Sequence, residues 1–465
     1  MSLDERIYRG PVIGVGFSGQ AGSAFPVLGI LRLLRNHAAQ QGRDLRAIFA
    51  FDPASNPTLS PIITRLAQRY GLETAYVPEI PIPVYRQSVD SGTLRFYGPD
   101  PDLKTYLDGE TRLLAEYAPS LVISLLRPTL YFSREAYFRR TGKWIPYTVV
   151  GYGLLLGDAG RHGIPANFVP VVLPRFLENM LDGNRPISWA ANRLLRYKMA
   201  DAGRYMKRYL PDSYRPKRFP SFQDSLLGDV TLVPSSPTFV PGKLRPGSHV
   251  VGSVEVSFPL TKEQSERQQR IIRQLRKWKE QKSVVVFVAM GTTGQAFPRV
   301  LTALKPLVCR AGSNIKVLFA TTTLGHDSQA GRVIADLEEC DAVIHSDWFD
   351  LQKVMPLVDL VVNHGGLNTM ETALYHDIPL LVVAPQQAEQ GLNALIMRRA
   401  GLGEIVWGHR LEDLTGVLLH MITHLDRYRS QVIKQKAGLT SYYDPVGKER
   451  LVIKAINAAI GHSRS

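Results

Sequence analysis

Short, continuous apolar runs alternate along this chain with stretches in which apolar residues recur every three or four positions. In the first half, PVIGVGF, LRAIFAF, TAYVPE, SLVISLL and PYTVVG read as buried strands. Between them, AFPVLGILRLLRNHAAQQ and SPIITRLAQRYG carry helical periodicity. A second series, SVVVFVAMG, NIKVLFAT, DAVIHS, DLVVNHG and PLLVVAP, begins later. Continuous rather than alternating apolar runs, each followed by a helical pattern, predict parallel sheets covered on both faces. Each series opens on a strand followed by a glycine-rich turn, so the expected fold class is α/β with two Rossmann-like domains. The segment VPSSPTFVPGKLRPGSHVVGSVEV, rich in Pro, Gly and Ser, reads as the connection. The expected divisions are a first domain over 1–242, a linker over 243–280, a second domain over 281–440 and a final segment over 441–465.

Length supports two cores, since 465 residues exceed what one ordinary core serves. Apolar residues at 45% and charged residues at 21% are ordinary for a globular chain. Cys309 and Cys340 are too few for a disulfide framework and fit no metal-ligand spacing, so a reducing compartment is the simplest reading. The N-terminus carries no secretory signal pattern, and no apolar run reaches the length of a membrane span. A cytoplasmic protein is therefore expected. The net charge of +15 favours anionic partners, but the basic residues are dispersed and no nucleic-acid module is present.

Gly14 to Gly19, GVGFSG, formally matches a dinucleotide-binding turn. The acidic residue that such a site needs at the end of the second strand is Asp52, well beyond the usual spacing. A plain turn between strand and helix explains the glycines equally well.

The segment NHGGLNTMETALYHDIPLLVVAPQQAEQGLNA is more specific. Its strand ends in His364, Gly365 and Gly366, and a helix opens at once with Asn368 and Thr369. Unpaired N–H groups and the positive end of the helix dipole favour an anion there, and the glycines let a diphosphate approach the backbone. Glu371 lies within reach of ribose hydroxyls in this reading. The loop after the next strand brings Glu389 and Gln390 to the same sheet edge, suited to sugar hydroxyls. Gly291, Thr292 and Thr293 follow the first strand of the same domain and face the same crevice.

These residues resemble the pattern of GT-B glycosyltransferases of the UDP-glycosyltransferase superfamily. That pattern has an H-G-G or H-C-G turn, N/G-S/T, a glutamate, G-x-P, and P-x-x-x-D-Q followed by N-A. The matches are His364-Gly365-Gly366, Asn368-Thr369, Glu371, Pro379, Pro385, Glu389-Gln390 and Asn393-Ala394, with Trp348 where the family stacks an aromatic ring on the base. The departures are Glu389 in place of Asp and Leu351 in place of a Gln common after the aromatic residue. The resemblance covers most of the second half, and the first half in layout only. It implies a GT-B fold with an acceptor-binding first domain and a nucleotide-sugar-binding second domain. It also implies a last helix crossing back to the first domain, and metal-independent inverting transfer with no cofactor beyond the nucleotide sugar. His364, the glycines, Asn368 and Thr369 would hold the diphosphate, Glu371 the ribose, and Glu389 with Gln390 the sugar.

Inversion at a hydroxyl acceptor needs a base. Related enzymes place a His or Asp in the first N-terminal loop, where this chain offers Ser23. Asp158 and His162 in GDAGRHG are the other candidates, unless the acceptor atom is itself acidic. Glu371 tilts the donor toward UDP over dTDP, because a deoxyribose would leave acceptor capacity unused. Aromatic segments of the first half, PIPVYRQ, LRFYGPD and RPTLYFSREAYF, suit a bulky, partly apolar acceptor, a natural product or a lipid. The basic helical stretch from Asn192 to Arg218 leaves peripheral contact with an anionic membrane open. The rival readings are a non-catalytic nucleotide-sugar-binding subunit and, third, a sugar-nucleotide epimerase.

Overall fold

The protein is described by a computed structural model. It covers residues 1–16, 21–57, 59–79, 100–125, 127–151, 155–156, 164–165, 203–204, 206–220, 225–240, 244, 246–254, 262–290, 297–310, 314–320, 329–340, 342–346 and 349–461.

The first sheet contains β1 (Val12–Val15), β2 (Ala47–Phe51), β3 (Glu73–Tyr76), β4 (Leu121–Leu125) and β5 (Tyr147–Val150). After a two-residue ladder of β6 (Leu155–Leu156) and β7 (Ile164–Pro165), it is completed by β8 (Val230–Val233) and β9 (Ser248–Val250). The order is β3-β2-β1-β4-β5-β8-β9, and each pairing in it is parallel. Helices α1 (Ala21–Gln40), α2 (Ser60–Arg69), α3 (Asp100–Tyr117) and α4 (Pro128–Thr141) alternate with its strands.

The second sheet contains β10 (Val284–Ala289), β11 (Ile315–Ala320), β12 (Val343–Ser346), β13 (Leu360–Asn363), β14 (Leu380–Val383) and β15 (Gly403–Val406). Its order is β12-β11-β10-β13-β14-β15, again parallel throughout. Helix α5 (Lys262–Glu280) precedes it, and α6 (Phe297–Val308), α7 (Gln329–Glu338) and the short α8 (Leu351–Val354) follow β10, β11 and β12. Then come α9 (Leu367–Tyr375), α10 (Ala388–Arg399), α11 (Leu414–Thr423), α12 (Leu425–Ala437), α13 (Thr440–Tyr443) and α14 (Pro445–Gly461).

In both sheets the order reverses beside the first strand, between β1 and β4 and between β10 and β13. Such a reversal opens a crevice beyond the carboxyl ends of the strands, because the helices on either side run to opposite faces. The apolar runs of the sequence are the strands themselves: β1, β2, β13 and β14 are buried at every position.

The strand pairing carries the first sheet to Val250, past the expected limit of 242. Helix α5, which falls within the expected linker, packs on the second domain instead. It buries Gln268, Ile271, Leu275 and Trp278, one helical stripe, in a core shared with Val285 and Phe287. Helix α14 buries Val452, Ile453, Ala455, Ile456, Ala459 and Ile460 against Val27, Leu28, Leu31, Val230 and Leu232 of the first domain. Each fully buried Ile or Val of this face contributes about 2 kcal/mol relative to exposure. Polar contacts fix its register: His37 Nδ1 lies 2.5 Å from Glu449 Oε1, and the Asp4 amide donates to Asn457 Oδ1 at 2.9 Å.

Cys309 and Cys340 form a disulfide with Cα atoms 5.4 Å apart, between the residue after α6 and the turn after α7. This corrects the sequence reading. Two cysteines make no framework, but 31 residues of separation do not prevent two neighbouring helix ends from meeting. The cysteine count therefore gives no argument for a reducing compartment. Among the described residues, no helix is long and apolar enough to cross a membrane.

Candidate nucleotide-sugar site

The His-Gly-Gly turn stands at the switch point of the second sheet, where β13 lies beside β10. Its conformation is over-determined. Gly365 adopts φ +91°, and a Cβ there would lie 2.5 Å from the Gln390 carbonyl oxygen. A Cβ on Gly366 would lie 2.7 Å from His364 Cε1. Two asparagines clamp the turn: Asn363 Oδ1 accepts from the Gly365 amide at 3.0 Å, and Asn393 Nδ2 donates to the Gly365 carbonyl at 3.1 Å. Both asparagines are buried, one closing β13 and the other on α10. The sequence places Asn393 in a motif and gives Asn363 no role. An Asn ending an otherwise apolar strand was the available signal.

Helix α9 starts directly from this turn, with Gly366 as N-cap and no side-chain cap. Its first-turn N–H groups are therefore not consumed by a capping side chain, and the helix dipole adds partial positive charge. Asn368 is exposed and Thr369 half-buried at this end. His364 retains partial exposure, while its Nδ1 is buried without a protein partner. Burial holds its pKa down to about 4, opposed by the neighbouring Ala289 backbone, so the ring is neutral near pH 7. A neutral imidazole beside a diphosphate acts as a hydrogen-bond partner, not as a counter-charge.

The carboxylates and amides expected to hold ribose and sugar divide differently. Glu371 is buried and held from outside the second sheet: Oε1 accepts from Ser235 Oγ at 2.7 Å and the Ser236 amide at 2.6 Å, and Oε2 from Tyr443 Oη at 3.2 Å. Gln390 Oε1 accepts from the amides of Gln386 and Gln387 at 2.8 and 3.3 Å, closing a capping box at the start of α10. Glu389, one residue earlier in the first turn of that helix, is half-buried. Burial pushes its carboxyl up to about 7, opposed by a hydrogen bond from Asn393.

Other expected residues fall outside the described residues: Gly291, Thr292, Thr293, Trp348, Asp158 and His162. Ser23 lies in the first turn of α1, and its side chain is likewise outside the description. Of the aromatic acceptor segments, RPTLYFSREAYF is largely helix α4, and Leu130, Phe132 and Tyr137 are buried in the first domain's core. The segments from 81 to 99 are outside the described residues. Of the basic stretch, residues 192–202 and 205 are also outside the description, while Met206 and Leu210 are buried core residues.

Comparison with known proteins bears on the fold and on the second half of the chain. Residues 285–442 match the glycosyltransferase family 28 C-terminal domain. A demethyllactenocin mycarosyltransferase of Streptomyces fradiae is 32% identical over 104 residues, 21% of this chain and 22% of that protein. The chain thus spans about a fifth of that curated relative's length. The fold is similar to that of a UDP-glucosyltransferase from Polygonum tinctorium (TM-score 0.60, 13% identity, 98% of this chain and 100% of that one). It is also similar to the calicheamicin glycosyltransferase CalG4 (TM-score 0.57, 14% identity, 98% and 99% covered). The chain has a two-domain GT-B fold, and residues 285–442 match the glycosyltransferase family 28 C-terminal domain.

Proposed function

We propose that this protein is a glycosyltransferase that moves a sugar from a nucleoside-diphosphate donor to a bulky, partly apolar small-molecule acceptor. The observation that carries this reading is the clamped His364-Gly365-Gly366 turn at the start of an uncapped helix, on the crevice side of the second sheet. The diphosphate would take the first-turn amides of α9, with Asn368 and Thr369 beside it, and a neutral His364 would hydrogen-bond the phosphate oxygens. Glu389 would meet the sugar hydroxyls. A carboxyl held near the ambient pH can both accept from and donate to a hydroxyl, which suits a polyol better than a fixed charge.

Inversion would follow from a single displacement, with the acceptor oxygen entering opposite the departing diphosphate and its proton leaving to a base of the first domain. Ser23, Asp158 and His162 are the candidates for that base. Metal-independent catalysis would place the developing negative charge on the α9 amides, which are fixed dipoles and need no reorganisation. The relatives whose names tie them to natural products, a mycarosyltransferase and the calicheamicin glycosyltransferase, support an acceptor of that kind.

The ribose argument for UDP weakens, because both Glu371 oxygens already have partners. We accordingly keep UDP-sugars in the donor class and add dTDP-sugars on equal terms. Incubation with UDP- and dTDP-sugars and a panel of aromatic and macrocyclic alcohols tests the proposal. Nucleoside diphosphate released together with a glycosylated acceptor is the expected outcome. Tight NAD binding with no sugar-nucleotide turnover would refute it.

A further inference from the structure

Glu371 joins three segments that are distant in sequence. It lies on α9, five residues past the Gly366 cap. Ser235 and Ser236 follow β8 of the first sheet, and the Gly252 amide donates to the Ser235 carbonyl at 3.0 Å, closing that loop against the end of the same domain. Tyr443 ends α13, just before α14 crosses onto the first domain. The carboxylate of the donor helix therefore touches the end of the first domain's sheet and the root of the crossing helix at once. Phe239, three residues past Ser236, shares a buried core with Met370 and Ala373 of α9, so the polar contact sits within packed apolar surroundings. Tyr375 at the far end of α9 faces Tyr443, with ring centroids 6.4 Å apart.

A buried carboxylate without donors is costly, and here three donors from outside the second sheet satisfy it. Oε1 is saturated by its two donors, and only Oε2 keeps an acceptor site, beside Tyr443. Since α9 is a helix of only nine residues, a displacement of the turn at its start moves Glu371 with it.

We propose that Glu371 is a positioning residue that couples occupancy of the His-Gly-Gly turn to the placement of the first domain, through Ser235, Ser236 and Tyr443. The proposal rests on the reading of that turn as a nucleoside-diphosphate site. Seating a diphosphate on the α9 amides would tighten α9 against the Ser235–Ser236 loop and the α13 to α14 junction, bringing the acceptor side of the crevice to its working distance.

Hydrogen–deuterium exchange on the full chain, with and without saturating UDP or dTDP, tests this coupling. In the wild type, nucleotide should slow exchange severalfold over residues 235–240 and 440–448. Glu371→Gln keeps the acceptor oxygen for Ser235 and Ser236 and should retain this response. Glu371→Ala should abolish the response while still binding nucleotide, with the ratio of UDP to dTDP affinity unchanged. If the alanine variant does not fold, Ser235→Ala and Tyr443→Phe each remove one contact and should each reduce the response. Bound nucleotide with unchanged exchange in the wild type would overturn the coupling alone. So would an alanine variant that loses affinity for UDP and not for dTDP, since that identifies a contact with the ribose 2′-hydroxyl. A wild type that binds no nucleoside diphosphate in a parallel titration removes the donor-site reading and the coupling with it.

Discussion

Glycines stand at the switch-point strand of each domain, Gly14 within β1 and Gly16 directly after it, Gly365 and Gly366 after β13, and they are needed for opposite reasons. In the first domain, a Cβ on Gly14 would meet Leu31 Cδ1 at 2.6 Å and Val27 Cγ1 at 2.7 Å, and a Cβ on Gly16 would meet Phe49 Cζ at 2.1 Å. Those glycines make room for the domain's own core side chains. In the second domain, the neighbours of Gly365 and Gly366 are the Gln390 backbone and the His364 ring. The turn is bent and clamped there by polar groups, beside helix amides with no side-chain cap. A glycine motif in a sequence does not distinguish these cases. What crowds the missing Cβ does.

The largest effect that would break this comparison is expected from Gly365→Ala. A Cβ at φ +91° against a backbone carbonyl cannot be relieved by a rotamer change. Strain of about 1–3 kcal/mol would fall on the turn, and affinity for nucleoside diphosphate should drop tenfold or more by calorimetry. Gly16→Ala should instead cost about 1–3 kcal/mol in denaturant unfolding through overpacking against Phe49, with nucleotide affinity unchanged. Combining it with Phe49→Leu should recover part of that stability, because the clash is with a side chain. Equal loss of nucleotide affinity in the two glycine variants would erase the distinction between the turns.

Asn393→Ala removes the donor to the Gly365 carbonyl and should cost about 1–2 kcal/mol, read as a lower melting temperature together with weaker nucleotide binding. The smallest effect concerns Glu389. Its carboxyl is raised from 4.5 to about 7 in the fold, so between these values the folded chain holds a proton that the unfolded chain has released. The stability tied to that proton is present below about 4.5 and is lost as pH rises through about 7. Glu389→Gln should therefore match the wild type near pH 4.5 and melt higher than it at pH 8. Parallel melting curves across the whole range would show that burial of Glu389 has no such cost.

Much of the fold was legible because the strands are buried on both faces, so their apolar runs stand out without alternation. Each of the ten runs read as strands contains one. Of the strands that escaped, β9 has three residues and β15 begins at Gly403, where a Cβ would lie 1.7 Å from the Leu380 carbonyl oxygen. Strand β8 (VTLV) is as apolar as those found and stands just before the Pro- and Ser-rich connection. The strand, glycine turn and helix start around His364 were legible because glycines between an apolar run and a helical pattern mark them locally, whereas the clamp from Asn393 lies 28 residues away. Glu371 was not, because its partners lie 136, 135 and 72 residues away and a sequence gives no view of them. Gln390 failed for the opposite reason. Its competing partners are its nearest neighbours, and a capping box at a helix start looks the same as a polar pair awaiting a ligand. The disulfide belongs with Glu371, since only the packing of α6 and α7 brings Cys309 to Cys340.

The most direct measurement is calorimetric titration of UDP, dTDP, GDP and NAD into the wild type, Gly365→Ala and Gly16→Ala. Saturable binding of UDP or dTDP, lost in Gly365→Ala and kept in Gly16→Ala, is the expected result. Binding of NAD alone, lost in Gly16→Ala and kept in Gly365→Ala, would place the ligand in the first domain and contradict the assignment.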